Sequence, residues 1–128
     1  MKSKRNLSFI ALVIVLSVAT LFAMTACGAN PLQDAVDEIN SNREMHEDLE
    51  GLYKVHAEVR ERSTIVVSFR AEIEELATPE VSQIVSDEAA SEFQAAVREM
   101  HKAGVSDAAI VLEFSDTDGN LIFTREFS

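Results

Sequence analysis

The sequence predicts a single α+β domain with the element order α-β-β-α-β-β, because helical and strand-like patterns follow one another along its 128 residues. Apolar residues recur at helical spacing after position 31 and again after position 78, and they alternate with polar residues in two pairs of runs that follow those helices. Two amphipathic helices and two hairpins are best satisfied by a four-stranded antiparallel sheet with both helices packed on one face. We therefore expect one domain over residues 31–128, with the other sheet face open to solvent.

Residues 1–26 form a separate segment with the composition of a cleaved signal peptide. Three cations (Lys2, Lys4 and Arg5) precede a run of 20 uncharged and mostly apolar residues. A run of that length is also long enough to span a bilayer as an uncleaved anchor. The residues at its end decide between the two interpretations.

Those residues, Met24-Thr25-Ala26-Cys27, resemble the lipobox of bacterial lipoproteins, in which Leu, a small residue and Gly or Ala precede an invariant Cys. Met24 in place of Leu is the one departure. The resemblance implies that the Cys27 sulfur takes a diacylglycerol as a thioether, and that a signal peptidase then removes residues 1–26. Residues 27–30 would be the lipidated Cys and a short tether, which places the domain on the extracytoplasmic side of the cell membrane. The alternative for a lone Cys is a buried thiol without a partner.

The remainder of the chain is strongly acidic. Residues 27–128 carry 8 Lys+Arg against 22 Asp+Glu, a formal net charge of −14. This charge argues against nucleic acid as a partner, since phosphate binding needs a basic surface. A single Cys excludes a disulfide scaffold, a zinc ribbon and an iron–sulfur centre by count. On a tether of about 10 Å, we expect the domain to be repelled by an anionic lipid surface and to stand off the bilayer.

The first helix and hairpin are predicted from a change of period at Tyr53. Residues 31–50 indicate a helix with a weak or broken middle at Asn40-Ser41-Asn42. Alternation over residues 53–60 and 65–71 then predicts two strands, with Ala57 opposite Val67 and a three-residue loop at 61–63 that contains no Gly.

The second half repeats this order. Thr78 is a good N-cap for a helix of about 25 residues that Gly104 ends, although Ser86-Asp87-Glu88 offers a second start within it. Asp118-Gly119 predicts a type I′ hairpin turn that places Ile110 opposite Phe127, Phe114 opposite Phe123 and Glu113 opposite Thr124. The same register puts Arg125 opposite Leu112 on the apolar face, where we expect it to snorkel at the edge of the core.

Neither of two apparent metal motifs has the spacing that it needs. In Asp116 to Asn120 the Gly comes fourth rather than sixth, and position 12 of a calcium loop would be Phe127, so we interpret the segment as a turn. His46-Glu47 lacks the second His of a zincin, because position 50 is Glu. We therefore expect no metal and no cofactor.

Acid-rich stretches such as residues 72–75 are interpreted as surface segments that keep the protein soluble. The alternative is that they dock a basic protein or divalent cations.

One constellation has the residue types of a hydrolase. His56 is expected opposite Ser68, with Glu58 further along the same polar face, which supplies base, nucleophile and orienting acid by type. The strained elbow, the Gly-rich oxyanion loop and a pocket that excludes water are missing from the pattern. We therefore favour a solvated strand face over a catalytic site and expect that the protein is not an enzyme. A small cell-envelope hydrolase or accessory enzyme is the alternative.

Nearly the whole chain resembles a family of small uncharacterised lipoproteins of Gram-positive bacteria that is catalogued as a domain of unknown function. The likeness rests on the lipobox through Cys27, the hairpin at 52–71 and the carboxyl segment at 104–127. The resemblance implies the location and the approximate fold, and it carries no established activity.

The favoured function is a non-enzymatic binding module. We expect it to be anchored through the lipid on Cys27 and to bind an envelope protein or a wall polymer with the open face of its sheet. The candidate binding residues on that face are Lys54, His56, Ser68, Arg70 and Glu113.

Overall fold

The computed structural model describes residues 31–128. Cys27, the tether at 27–30 and the leader predicted at 1–26 lie outside the described residues. The helices are α1 (Pro31–Ser41), α2 (Arg43–Asp48) and α3 (Pro79–Lys102), and the strands are β1 (Tyr53–Arg60), β2 (Thr64–Ala71), β3 (Ala109–Ser115) and β4 (Leu121–Phe127), with a short 3₁₀ helix at Glu74–Leu76 before α3. The α+β class is confirmed. Among residues 31–128, no helix combines the length and the apolar character needed to cross a bilayer.

The first predicted helix is broken at Asn42, as the interruption of its apolar spacing indicated. The Asn42 side chain accepts a hydrogen bond of 3.0 Å from the backbone N–H of Met45 and so acts as the N-cap of α2. Helix α3, in contrast, runs without a break through Ser86-Asp87-Glu88, so the second start predicted there is not used. The predicted N-cap of α3 is confirmed, since the Thr78 hydroxyl accepts from Val81 N–H at 3.2 Å.

The four strands form one sheet in the order β1-β2-β3-β4. The prediction of an antiparallel sheet is wrong at its centre, where β2 and β3 are parallel and the sheet is therefore mixed. The cause is the connection between them. Helix α3 carries the chain from the end of β2 back to the start of β3, and a helical crossover of this kind joins parallel neighbours.

The first hairpin has the predicted register throughout, and the second has it from Ile110 to Phe114. In the first, Ala57 pairs with Val67 around a loop at 61–63. In the second, Ile110 pairs with Phe127, Phe114 with Phe123 and Glu113 with Thr124. The first hairpin loop requires left-handed backbone conformations and contains no Gly. Glu61 and Arg62 adopt them instead, with φ values of 56° and 72°.

The predicted type I′ turn at Asp118-Gly119 is wrong. Such a turn needs positive φ at both central residues, and only Gly119 has it, at 90°. The turn begins instead at Asp116, whose carboxylate accepts from the N–H groups of Asp118 at 3.0 Å and Asn120 at 2.9 Å. This longer turn shifts the pairing by one residue, so that Ser115 lies opposite Leu121. The interpretation of the segment as a turn is confirmed.

Helices α1 and α3 cover the same face of the sheet. Helix α1 packs on β1 and β2, whereas α3 packs on β3 and β4. The core between the helices and the sheet is continuous, and its largest fully buried side chains are Phe69, Phe93 and Phe114. The opposite face of the sheet carries no helix among the described residues.

Arg125 lies at the rim of this core, as predicted. Its guanidinium donates to Ser86 Oγ at 3.3 Å, forms an ion pair with Asp87 and lies over the Phe127 ring, 5.1 Å from the centroid. The apolar stem is covered while the charge reaches polar partners.

Candidate functional site

The five candidate binding residues lie in two adjacent rows across the open face. His56, Ser68 and Glu113 are consecutive partners across β1, β2 and β3. In the next row, Lys54 lies opposite Arg70. The residues come together because alternate side chains of neighbouring strands share a face. The structure therefore forms a continuous polar surface from them.

Two positive charges face one another in the second row. Lys54 and Arg70 are directly opposed on β1 and β2. Like charges in this position repel each other and destabilise the sheet. Within residues 31–128, no carboxylate oxygen lies within 4.0 Å of either cation. Arg70 is held by the β3–β4 turn, since its Nη2 donates to the carbonyl of Thr117 at 2.9 Å. This end of the face therefore carries two cations without an ion-pair partner among the described residues.

At the other end of the face, one cation pairs with two carboxylates, so the charge there is net negative. Arg60 Nη2 bonds Glu58 Oε1 at 2.9 Å, and Nη1 bonds Glu113 Oε2 at 3.3 Å. The hydrogen bonds to Glu58 and Glu113 raise the pKa of Arg60, so the guanidinium keeps its charge. Glu113 thus belongs to an ion-pair network, and the surface available for an anion is confined to the Lys54 end.

A cavity of about 560 Å³ lies beside the Lys54 end and continues around the outer edge of β1. It is lined by His46, Glu50, Tyr53, Lys54, Val55, His56, Ser68, Arg70, Glu72 and Ser115. Sequence reasoning missed His46, Glu50 and Glu72, because they reach the cavity from the end of α2, the α2–β1 loop and the end of β2. Four of the five candidate binding residues line this cavity, and Glu113 does not.

The outer edge of β1 has few partners for its backbone. Glu72 N–H donates to Leu52 O at 2.9 Å, so the even-numbered residues of β1 bond β2 and the odd-numbered residues direct N–H and C=O outward. Asn40 binds both groups of Ala57, and Tyr53 N–H donates to Leu49 O at 3.0 Å. Between these two positions, the described chain supplies no hydrogen-bond partner for the N–H and C=O of Val55, which lines the cavity.

Tyr53 lies under the same edge, in the core. Its ring packs edge-on against Phe69 and Phe114, with centroid distances of 5.9 and 6.1 Å. Its hydroxyl is buried without a hydrogen-bond partner among the residues described, and burial raises the pKa of Tyr53. A buried hydroxyl in this state reduces stability.

The residue types of the hydrolase alternative share the face without forming a hydrogen-bonded chain. His56 and Ser68 are cross-strand neighbours, as predicted, but in residues 31–128 no hydrogen bond joins their side chains. Glu58 bonds Arg60, and within residues 31–128 no carboxylate is hydrogen-bonded to the His56 ring. The other two histidine rings hydrogen-bond backbone carbonyls. His46 Nε2 lies 3.0 Å from Ile39 O, and His101 Nε2 lies 3.0 Å from Ala108 O.

The part of the chain that the structure describes contains no set of side chains arranged as metal ligands. No group of three or more His, Cys, Asp or Glu side chains there is placed to hold a metal ion. The Asp116 carboxylate is occupied by the N–H groups of its own turn, and these hydrogen bonds lower the pKa of Asp116.

Comparisons with known proteins add no relative. The chain matches no protein-family model, no curated protein and no solved structure.

Proposed function

We propose that the protein is a membrane-anchored lipoprotein on the extracytoplasmic side, and that its domain is a non-enzymatic binding module. The open face of the sheet would recognise an envelope protein or a wall polymer. The observation that carries this proposal is the opposed pair of Lys54 and Arg70, neither of which forms an ion pair within residues 31–128, beside a 560 Å³ cavity. Two opposed cations, neither of which is ion-paired within residues 31–128, favour an external anionic group, although Glu50 and Glu72 line the same cavity.

Site-directed cross-linking on intact cells tests the binding function. A photoreactive residue at Ser68, in the cavity, should capture one reproducible partner. The matched control is the same residue at Arg98, which is exposed on α3 on the covered side of the sheet. Equal capture at both positions, or no partner at Ser68, would contradict a binding function for the open face.

The anchor is supported by the lipobox and by its spacing from the fold. Only Gly28, Ala29 and Asn30 separate Cys27 from the start of α1 at Pro31. Each methylene of an acyl chain buried in the bilayer contributes about 0.8 kcal/mol of binding free energy, so two chains would hold the domain stably on the membrane. We also propose membership of the family of small Gram-positive lipoproteins that the sequence resembles.

The mass of the membrane-extracted protein tests the anchor. We expect loss of residues 1–26 and an added acyl mass that C27A abolishes. An intact leader without acyl groups would contradict the anchor.

A small envelope hydrolase is the second candidate, favoured by the cross-strand placement of His56 and Ser68. Its test is S68A. Loss of a measured hydrolase activity in this variant, with unchanged folding, would support the enzyme over the binding module.

A further inference from the structure

We infer that the cavity at the β1 edge binds an acidic peptide segment of a partner protein in extended conformation, with the segment pairing as a short strand against Val55. This inference rests on the proposed binding function and specifies its ligand. Two independent observations carry it, one from the backbone and one from charge.

The backbone observation is the pair of polar groups at Val55. An edge strand presents unpaired N–H and C=O groups with which a second chain can pair. The N–H and C=O of Val55 point outward, have no partner in residues 31–128 and border the cavity. An extended chain added to a sheet edge satisfies both groups at once.

The neighbours of Val55 limit the length of that pairing. On one side the Asn40 amide occupies the N–H and C=O of Ala57, and on the other Leu49 O occupies the N–H of Tyr53. Only the stretch between these positions is open, so the ligand strand pairs over two or three residues. Binding must therefore draw additional affinity from side chains.

The charge observation identifies those side chains. A strand placed about 4.8 Å outside β1 directs alternate residues over the open face, beside Lys54. A carboxylate there reaches Lys54 and relieves its repulsion with Arg70, the opposed cation. Glu50 and Glu72 border the same cavity, so a run of contiguous acids would be repelled. The fitting ligand has acids at alternate positions.

The test uses the full chain, labelled with ¹⁵N in detergent micelles, and an end-capped Thr-Glu-Thr-Glu-Thr peptide. We expect saturable binding and slower hydrogen exchange of the Val55 amide. The double variant K54Q/R70Q should weaken binding at least about fivefold. The control R98Q removes an exposed cation on α3 and should leave affinity unchanged. A Thr-Lys-Thr-Lys-Thr peptide should not bind.

N-methylated peptides separate strand pairing from charge attraction. Two versions are methylated at alternate sets of amides, and only one set faces β1 in a paired strand. We expect one version to lose binding and the other to keep it. Equal binding of both, unchanged exchange of Val55, or equal losses in R98Q and K54Q/R70Q would overturn the inference. If the Ser68 cross-link still captures its partner in that case, the binding function stands and only the acidic-peptide ligand fails.

Discussion

The side-chain amide of Asn40 binds both backbone polar groups of Ala57. Nδ2 donates to Ala57 O at 2.9 Å, and Oδ1 accepts from Ala57 N–H at 2.8 Å. Asn40 lies in the last turn of α1, and Ala57 lies in the middle of an edge strand. One side chain thus takes the position of a neighbouring strand, which protects an edge that would otherwise be open to pairing.

Removing this amide should loosen the edge. We expect N40A to lower the free energy of unfolding by about 1–3 kcal/mol, because it leaves two backbone groups of buried Ala57 without partners. The Ala57 amide should exchange faster with solvent. The control S41A alters an exposed neighbour and should change stability by less than about 0.5 kcal/mol. Urea denaturation checks both values, and equal midpoints for N40A and the unsubstituted protein would contradict the role assigned to Asn40.

Tyr53 should be more favourable as Phe. Y53F removes a buried hydroxyl without a described partner and keeps the ring packed on Phe69 and Phe114, so we expect stability to be equal or higher by about 1 kcal/mol. Y53A, the packing control, should cost about 3–5 kcal/mol.

Y53F should also change how the stability of the protein depends on pH under alkaline conditions. The pKa of Tyr53 is raised above its ordinary 10.0 in the fold, so the unfolded chain releases this proton first as pH rises. Stability of the unsubstituted protein should therefore fall above pH 10.0, and Y53F should lack that part of the fall. Parallel curves from pH 8 to 11 would contradict a Tyr53 pKa raised by burial.

Arg62 should be improved by Gly. Its φ of 72° is unfavourable for a residue with a side chain, so R62G should stabilise the protein by about 1 kcal/mol. S63G is the matched control in the same loop: Ser63 is not among the positive-φ residues, and a Gly there adds only unfolded-state entropy. Thermal unfolding should show an increase for R62G and a decrease for S63G. A decrease for both would contradict the strain argument.

Asp116 should contribute to acid sensitivity. Hydrogen bonds from its own turn lower its pKa below the ordinary 3.8, so its contribution is present above pH 3.8 and is lost as pH falls through the lowered value. D116N should be less stable than the unsubstituted protein at pH 7, and the two should converge at low pH. D118N, which alters an exposed neighbour in the same turn, is the control and should show no such convergence.

Sequence periodicity was sufficient for both hairpins, because a shift of one residue would move every apolar side chain to the wrong face. The pairing of Ile65 with Ile110 has no such local signal. These residues are joined through a long helix, and the two hairpins could meet along either strand with their apolar faces still covered. The mixed sheet follows from α3, and its connection implies parallel neighbours only once β2 and β3 are known to be adjacent.

The candidate face was predictable for a similar reason, and the cavity was not. Lys54 and Arg70 follow from register within one hairpin. The exposed backbone at Val55 depends on β1 being an edge strand and on Asn40 reaching Ala57 from 17 residues away. Neither relationship has a pattern in the sequence, since Asn40 is equally well explained as the residue that interrupts a helix.

The parallel pairing at the centre of the sheet also sets an order of events during synthesis. Strand β2 is complete by Ala71, but its second neighbour begins only at Ala109. Until then Ile65-Val66-Val67, fully buried in the finished protein, presents an unpaired inner edge. Consecutive β-branched residues in this state are prone to intermolecular association. A nascent chain that stalls in α3 should therefore aggregate more readily than one that stops before β2.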